Sequence, residues 1–411
     1  MMAASNDKTT SISKEPRVVV LSQNYSTGLS ILRSLGEAGY TVDLVAGVKK
    51  KGRSIIASSS RFVHRAEEVL LAGDSASSAP KIWEAVKQLS EDAPAPVLLF
   101  PADDYMVTVL ECCMEASSSR FVLPGVKQGS YTLPALMNKD LQVQLAADAG
   151  LAVAGSWIVH LADPAPLEGI PYPCFVKPRC SVGGSKEEMA ICRDQAALEE
   201  TLAALARTDA NRDVLVQEYL EIDQEYDVGG VCTREEVLLP GVIRKIRVAA
   251  HERGVTMAGE MLPASVLGDS GDKVKRLLQQ TGYIGMFDLE IFDVGGQLYF
   301  NEINFRPGGP NFVYYRCGMN LPAAAAEALL SGSAYNGNKE VLSVDKTFVY
   351  EKVAWEDQIY GHMSRQERKS IIREADITLL HDANDPAPGK HFDRRIRLSA
   401  VKHWLRRDHQ S

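Results

Sequence analysis

The stretch Ile284–Asn311, IGMFDLEIFDVGGQLYFNEINFRPGGPN, holds the densest set of residues able to do chemistry. Two β-type runs flank Gly295-Gly296, and each carries oxygen-bearing side chains at alternate positions: Asp288 and Glu290 on the first, Glu302 and Asn304 on the second. Alternation by two puts each pair on one face of its strand, and a hairpin sets the pairs side by side. Carboxylates so close call for a cation, and hard oxygen ligands without His or Cys suit Mg²⁺. The apolar neighbours Phe287, Ile291, Phe292, Tyr299, Phe300 and Phe305 argue that the hairpin is buried, where unpaired charge is costly. A solvated face of surface carboxylates is the alternative. Arg306 shares that face if the strand persists, and its guanidinium would suit a transferring phosphoryl group or a substrate carboxylate, or else pair with the acids. Gly308 and Gly309 permit close backbone approach to a ligand, or a turn.

Upstream, Lys177 closes a β-type run and is followed by a Ser/Gly loop containing Ser181, Gly183, Gly184 and Ser185. Such a loop can fold over phosphates through its backbone N–H groups. It lacks the Walker A spacing, and a plain hairpin turn has the same composition. Arg244, Lys245 and Arg247 offer a further phosphate or carboxylate contact, or a solvated edge strand.

These residues need elements to hold them. Arg17–Asn24, an amphipathic stretch over Leu29–Ala38 and a second run at Thr41–Ala46 read as a βαβ unit. Runs at Val97–Phe100 and Phe121–Leu123 continue the alternation, which predicts an α/β N-terminal domain with an open parallel sheet. The Ser26-Thr27-Gly28 segment reads as a βα turn able to present N–H groups to an anion. Ser26, Thr27, Asp103 and Asp104 are candidate substrate contacts, and Asp103-Asp104 could equally cap the next helix. From Leu136 the pattern changes: helices at Leu136–Ala149, Gln195–Ala206 and Gly271–Thr281 intersperse strands at Cys174–Lys177, Val214–Tyr219, Glu225–Val231, Glu236–Arg247, Ile284–Asp293 and Gln297–Phe305, an α+β region. The expected divisions are a disordered lead-in at 1–16, an N-terminal domain at 17–133, subdomains at 134–208 and 209–335, and a C-terminal segment at 336–411 ending in a basic helix.

A net charge of -8 with acids and bases interspersed gives no footprint for nucleic acid or an anionic membrane. No run approaches the length of a membrane span and the first residues lack a signal-peptide pattern, so a cytoplasmic protein acting on small molecules is expected. Seven scattered cysteines, without a C-x-x-C pair, suggest neither zinc nor a disulfide framework.

Taken in order, these pieces resemble the ATP-grasp superfamily over roughly residues 15 to 335, and its carboxylate-amine ligase branch, D-aspartate ligase-like or amino-acid ligase-like, in NEINFRPGGPN and GMNLP. The resemblance implies an α+β ATP-grasp domain whose two subdomains clasp ATP. It implies that Lys139 and Lys177 bind ATP phosphates under the glycine loop, that Glu218 with Tyr219 and Glu221 meets adenine at the hinge, and that Glu225 holds the ribose. Glu302 and Asn304 match the E-x-N metal motif, either Glu290 or Asp288 supplies the second metal carboxylate, and Arg306 and Lys177 are the implied catalytic residues. The implied cofactors are ATP and two Mg²⁺ ions, with Mn²⁺ as a substitute. The implied substrates are a small carboxylate and an amine, amino acids in particular, in a chain that can pair as a homodimer. A carboxylation through carboxyphosphate, as in biotin carboxylase or carboxyaminoimidazole ribonucleotide synthetase, and a catalytically silent ATP-binding module are the alternatives.

Overall fold

The N-terminal run of β-branched residues folds as a parallel sheet in the order β3-β2-β1-β4-β5, built from β1 (Lys14–Ser22), β2 (Tyr40–Val48), β3 (Val63–Leu70), β4 (Val97–Pro101) and β5 (Phe121–Val122). The computed structural model describes residues 14–23, 25–50, 55–113, 118–164, 167–179, 189–252, 254–331, 335 and 337–407. Both faces of this sheet are buried: Val18 and Val20 join one core cluster, Val19 and Leu21 the other, as period-two alternation requires. β1 begins at Lys14, ahead of the expected boundary at 17. Ser26-Thr27-Gly28 is the first turn of the helix Tyr25–Glu37 rather than a loop. A Cβ on Gly28 would lie 2.6 Å from Ser22 Oγ, so the helix crosses β1 at a distance only glycine permits. Because β2 and β3 lie on one side of β1 and β4 and β5 on the other, a crevice opens beyond the ends of β1 and β4, the place where open α/β sheets bind ligands.

Two short strands, β6 (Gly125–Val126) and β7 (Ala152–Val153), leave this domain to join a large sheet further on. Between them the expected helix Leu136–Ala149 is two helices, Leu133–Leu136 and Lys139–Asp148, and Asn138 ends up at an N-cap position. A small antiparallel sheet follows, ordered β10-β9-β11-β8, from β8 (Ser156–His160), β9 (Cys174–Pro178), β10 (Ala190–Cys192) and β11 (Asp213–Glu218), covered by the helix Gln195–Ala206. It therefore extends beyond residue 208 to Glu218.

The large sheet runs β19-β18-β15-β14-β12-β16-β17-β7 and takes in β12 (Gln224–Cys232), β13 (Val237–Leu238), β14 (Val242–Val248), β15 (Thr256–Leu262), β16 (Tyr283–Val294) and β17 (Gln297–Asn304). Pro240, which has no N–H to give a ladder, lies where the expected strand Glu236–Arg247 breaks into β13 and β14. The C-terminal segment is part of this architecture, since β18 (Lys346–Val349) and β19 (Ile377–Thr378) extend the sheet. Buried Arg33 ties that segment to the first helix: its Nε donates to Asp385 Oδ2 at 3.0 Å, and its Nη atoms donate to the carbonyls of Leu379 and Leu380, each at 2.9 Å. Among the described residues no helix is long and apolar enough to cross a membrane.

Candidate active site

The hairpin β16–β17 pairs Asp288 with Asn304 and Glu290 with Glu302, so the four oxygen-bearing side chains stand side by side as alternation requires. A bulge next to Glu290 interrupts the ladder and breaks the alternation at Asn301. Asn301, absent from the sequence-derived set, consequently faces the site: its Nδ2 donates to Glu290 Oε2 at 2.8 Å, and its Oδ1 accepts from Lys177 Nζ at 3.3 Å. Lys139, at the start of its helix and buried, places Nζ 2.6 Å from Glu302 Oε2. Burial by itself would raise the Glu302 carboxyl, but Lys139 and then Lys177 hold it down at about 2. Burial, then the neighbouring Lys139 charge, pulls the Lys177 ammonium down to about 7.

β12 and β14 contribute a second cluster. Buried Lys245 Nζ lies 2.7 Å from Glu290 Oε1, 3.1 Å from Asp227 Oδ1 and 3.2 Å from Glu225 Oε2. Burial pushes Asp227 up to about 6 against the pull of Lys245. Burial and then the Asp227 charge push Asp288 up to about 8. Asp227 was also absent from the sequence-derived set, although it sits two residues after Glu225 on the same strand face. Of the basic trio only Lys245 enters the cleft; Arg244 pairs with Glu260, and Arg247 is exposed.

Arg306 lies beyond the end of β17 and still faces the cleft. Asp104 grips it in a bidentate pair, accepting from Nε at 3.0 Å and from Nη2 at 2.8 Å, and Nη2 also donates to Asn304 Oδ1 at 3.3 Å. Of the two readings open for Asp103-Asp104, the helix cap holds for Asp103, and Asp104 has a different part, pairing with Arg306. Asp103 caps the helix Asp104–Glu111 through Met106 N at 3.1 Å and accepts from Gln23 N at 3.0 Å, which joins the loops after β1 and β4. Asp104 fixes the arginine. Its replacement by Asn should lower turnover about tenfold, the order of one charge-assisted contact, and leave nucleotide affinity unchanged; steady-state kinetics beside ADP calorimetry checks the split.

Two cavities meet at this hairpin. One, of about 260 Å³, lies against the small sheet, lined by Phe175, Lys177, Glu218, Tyr219, Phe292 and Phe300 among others. The other, of about 760 Å³, reaches from the hairpin to Gln23, Ser26, Thr27, Asp103 and Asp104 in the crevice of the parallel sheet, and to Tyr350 in the C-terminal segment. Lys139, Glu290 and Glu302 line both. Glu225 lines the smaller cavity, and exposed Glu221 lies outside both linings. Exposed Glu218 accepts from Gly155 N at 3.3 Å, where the small sheet meets β7. Ser181, Gly183, Gly184 and Ser185 fall outside the described residues.

The donor set fits a divalent cation: four oxygen-bearing side chains on adjacent positions, with the backbone closing over one of them, since a Cβ on Gly308 would lie 2.4 Å from Asp288 Oδ1. No group of three or more His, Cys, Asp and Glu is gathered into a metal site among the described residues. Glu290 and Glu302 are instead paired with lysines, as suits a cation that shares its shell with phosphate oxygens.

Residues 144–309 match the ATP-grasp domain, and the chain carries an ATP-grasp domain. The carbamoyl phosphate synthase large chain of Halomonas eurihalina is 27% identical over 169 residues, a match spanning 40% of this chain and 16% of that one. Among solved structures, the biotin carboxylase domain dimer of the Hydrogenobacter thermophilus 2-oxoglutarate carboxylase, in complex with MgADP, ADP and bicarbonate, superposes with a TM-score of 0.61 at 14% identity, covering 80% of this chain and 73% of that one. The L-amino acid ligase of Bacillus licheniformis superposes with a TM-score of 0.57 at 14% identity, covering 82% of this chain and 79% of that one. ATP-grasp proteins use ATP with a divalent metal.

Proposed function

We propose that this chain is an ATP-dependent ligase that joins a small carboxylate to an amine through an acyl phosphate, with amino acids as the substrates and Mg²⁺ or Mn²⁺ as the metal. The observation that carries the reading is the shared wall of the two cavities. Lys139, Glu290 and Glu302 line both, so a nucleotide in the smaller one would direct its terminal phosphate into the larger, beside Arg306. In this reading the subdomains at 134–208 and 209–335 hold the nucleotide between them. Lys139 and Lys177 neutralise its phosphates, and Glu218, Tyr219 and Glu225 hold the nucleoside.

Two divalent ions held by Glu302, Asn304 and either Glu290 or Asp288 would neutralise charge on the phosphates during transfer. Arg306, fixed by Asp104, meets the acceptor carboxylate and the charge that develops as a carboxylate oxygen attacks the terminal phosphorus and the bond to ADP breaks. The amine then attacks the acyl carbon, and phosphate leaves with the former carboxylate oxygen. The acceptor acid sits between Arg306 and the crevice of the parallel sheet, where buried Ser26 and Thr27 begin a helix. The large cavity has polar groups from the N-terminal domain, the hairpin and the C-terminal segment, which favours substrates with several charged groups.

The reaction is tested with ¹⁸O in the acid: label should appear in the released phosphate as the amide forms, and hydroxylamine should trap the acyl phosphate. Release of AMP and pyrophosphate would overturn the mechanism, and label transfer from bicarbonate would make the chain a carboxylase. Nucleotide placement has its own test. Glu218→Ala should weaken ATP binding by roughly 1 to 3 kcal/mol, the cost of an unpaired polar partner, and unchanged affinity by calorimetry would count against the assignment.

A further inference from the structure

Alternation along β12 turns Tyr226 to the face opposite Glu225 and Asp227, away from the catalytic cleft. There a separate cavity of about 600 Å³ lies between β7, β12, the β16–β17 hairpin and the start of the helix Ser270–Thr281. Tyr226 belongs to the same buried cluster as Val274 and Leu277, and the residue is only 8% exposed. Tyr226 lines this cavity, and its hydroxyl has no hydrogen-bond partner among the described residues. A buried phenol ordinarily finds one. The helix beside it is also uncapped: Asp269, at the N-cap position, makes no side-chain hydrogen bond to the first turn. In that turn Gly271 N donates to the Gly268 carbonyl at 3.1 Å, and Asp272 stands beside it.

Charges of both signs line the cavity. Lys273, in the first turn of the helix, and Asp293, on β16, both line the cavity, and neither forms an ion pair among the described residues. Asp293 is near enough that its charge follows burial among the causes raising the Tyr226 hydroxyl. Leu267 and Leu298 supply an apolar wall. Gly150, Gly268 and Gly296, with φ of 88°, 51° and 82°, also line the cavity.

We propose that this cavity binds a free amino acid as its zwitterion, at a site separate from the catalytic cleft. The carboxylate meets Lys273 and the Tyr226 hydroxyl; the ammonium meets Asp293; a small apolar side chain lies on Leu267 and Leu298. The assignment does not depend on the ligase reading, because it uses none of the residues placed in catalysis.

Calorimetric titration of the nucleotide-free full chain with each of the twenty common amino acids, with acetate and with methylammonium, tests it. At least one amino acid should bind, and Arg306→Met should leave that binding intact. Tyr226→Phe and Lys273→Met should each weaken it about tenfold or more while melting as the wild type does, and acetate and methylammonium should bind at least about tenfold more weakly than the amino acid. Absence of binding by every amino acid overturns the proposal. So does binding that is lost in Arg306→Met, binding that survives both Tyr226→Phe and Lys273→Met, or acetate binding as tight as that of the amino acid.

Discussion

Glu302→Gln should reduce metal-dependent turnover by about a hundredfold or more, the order seen when one preorganised electrostatic contact is lost from a transition state. The substitution keeps the shape and removes only charge. That charge is present at any working pH, because Lys139 and Lys177 hold the carboxyl at about 2. Its loss leaves the Lys139 ammonium, which contacts Glu302 at 2.6 Å, without that carboxylate and removes a charge that favours protonated Lys177. Two opposite effects on the nucleotide follow. With EDTA present, ADP should bind as tightly as before or more tightly, because its phosphates supply the missing negative charge. With Mg²⁺ present, turnover should collapse, because the acid no longer holds a cation against those phosphates. Calorimetry in EDTA beside a coupled ADP-release assay separates the two, and wild-type turnover in the variant would sink the metal assignment. Asn304→Ala should behave in the same direction. Asp288→Asn and Glu290→Gln, made separately, decide which acid completes the site.

The parts of this site that were legible in the sequence are those set by one strand at a time. Asp288 with Glu290, and Glu302 with Asn304, follow from period-two alternation on either side of a Gly-Gly turn, and the register of the hairpin confirms their adjacency. Asn301 was not legible because a bulge is a property of the pair of strands, and alternation assigns that residue to the wrong face. Lys245 was named as a candidate and Asp227 follows Glu225 by two, but their contact with each other and with Glu290 required knowing that β12 lies between β14 and β16, a neighbour relation that no spacing within one strand encodes. The grip of Asp104 on Arg306 joins residues far apart in the chain and depends on how two sheets are docked. Whole elements escaped for related reasons. β3 reads as a charged stretch because it is an edge strand with one face exposed. β15 was hidden by its central glycine, which the fold needs because a Cβ on Gly259 would lie 2.5 Å from the Arg244 carbonyl. The C-terminal segment was set apart at 336–411, although its short strands extend the sheet that carries the hairpin.

ATP affinity should fall as pH rises above about 7, by up to about tenfold per pH unit, until the pKa of Lys177 in the complex is reached. In the free protein, burial and then Lys139 depress the Lys177 ammonium to about 7. Nucleotide phosphate beside it favours the charged form, so its pKa in the complex is higher than in the free protein. The sign follows from proton counting. Below pH 7 Lys177 is protonated in both states and affinity is flat with pH. Between the two pKa values only the complex holds the proton, so binding takes one up and weakens as protons become scarce. Above the higher value both states are neutral and the curve flattens again. Calorimetry at pH 8 in buffers of different ionisation enthalpy should register uptake of close to one proton per ATP. Lys177→Arg, which stays charged throughout this range, should remove the uptake and flatten the profile. Folding stability is linked to the same group with the opposite slope: the unfolded chain holds the lysine proton up to its ordinary pKa while the folded chain releases it near 7, so this group makes the ligand-free protein more stable as pH rises through that window. Affinity that stays constant from pH 7 to 9 in the wild type would mean that Lys177 is already charged in the free cleft, with Glu302 and Glu290 outweighing its burial and Lys139.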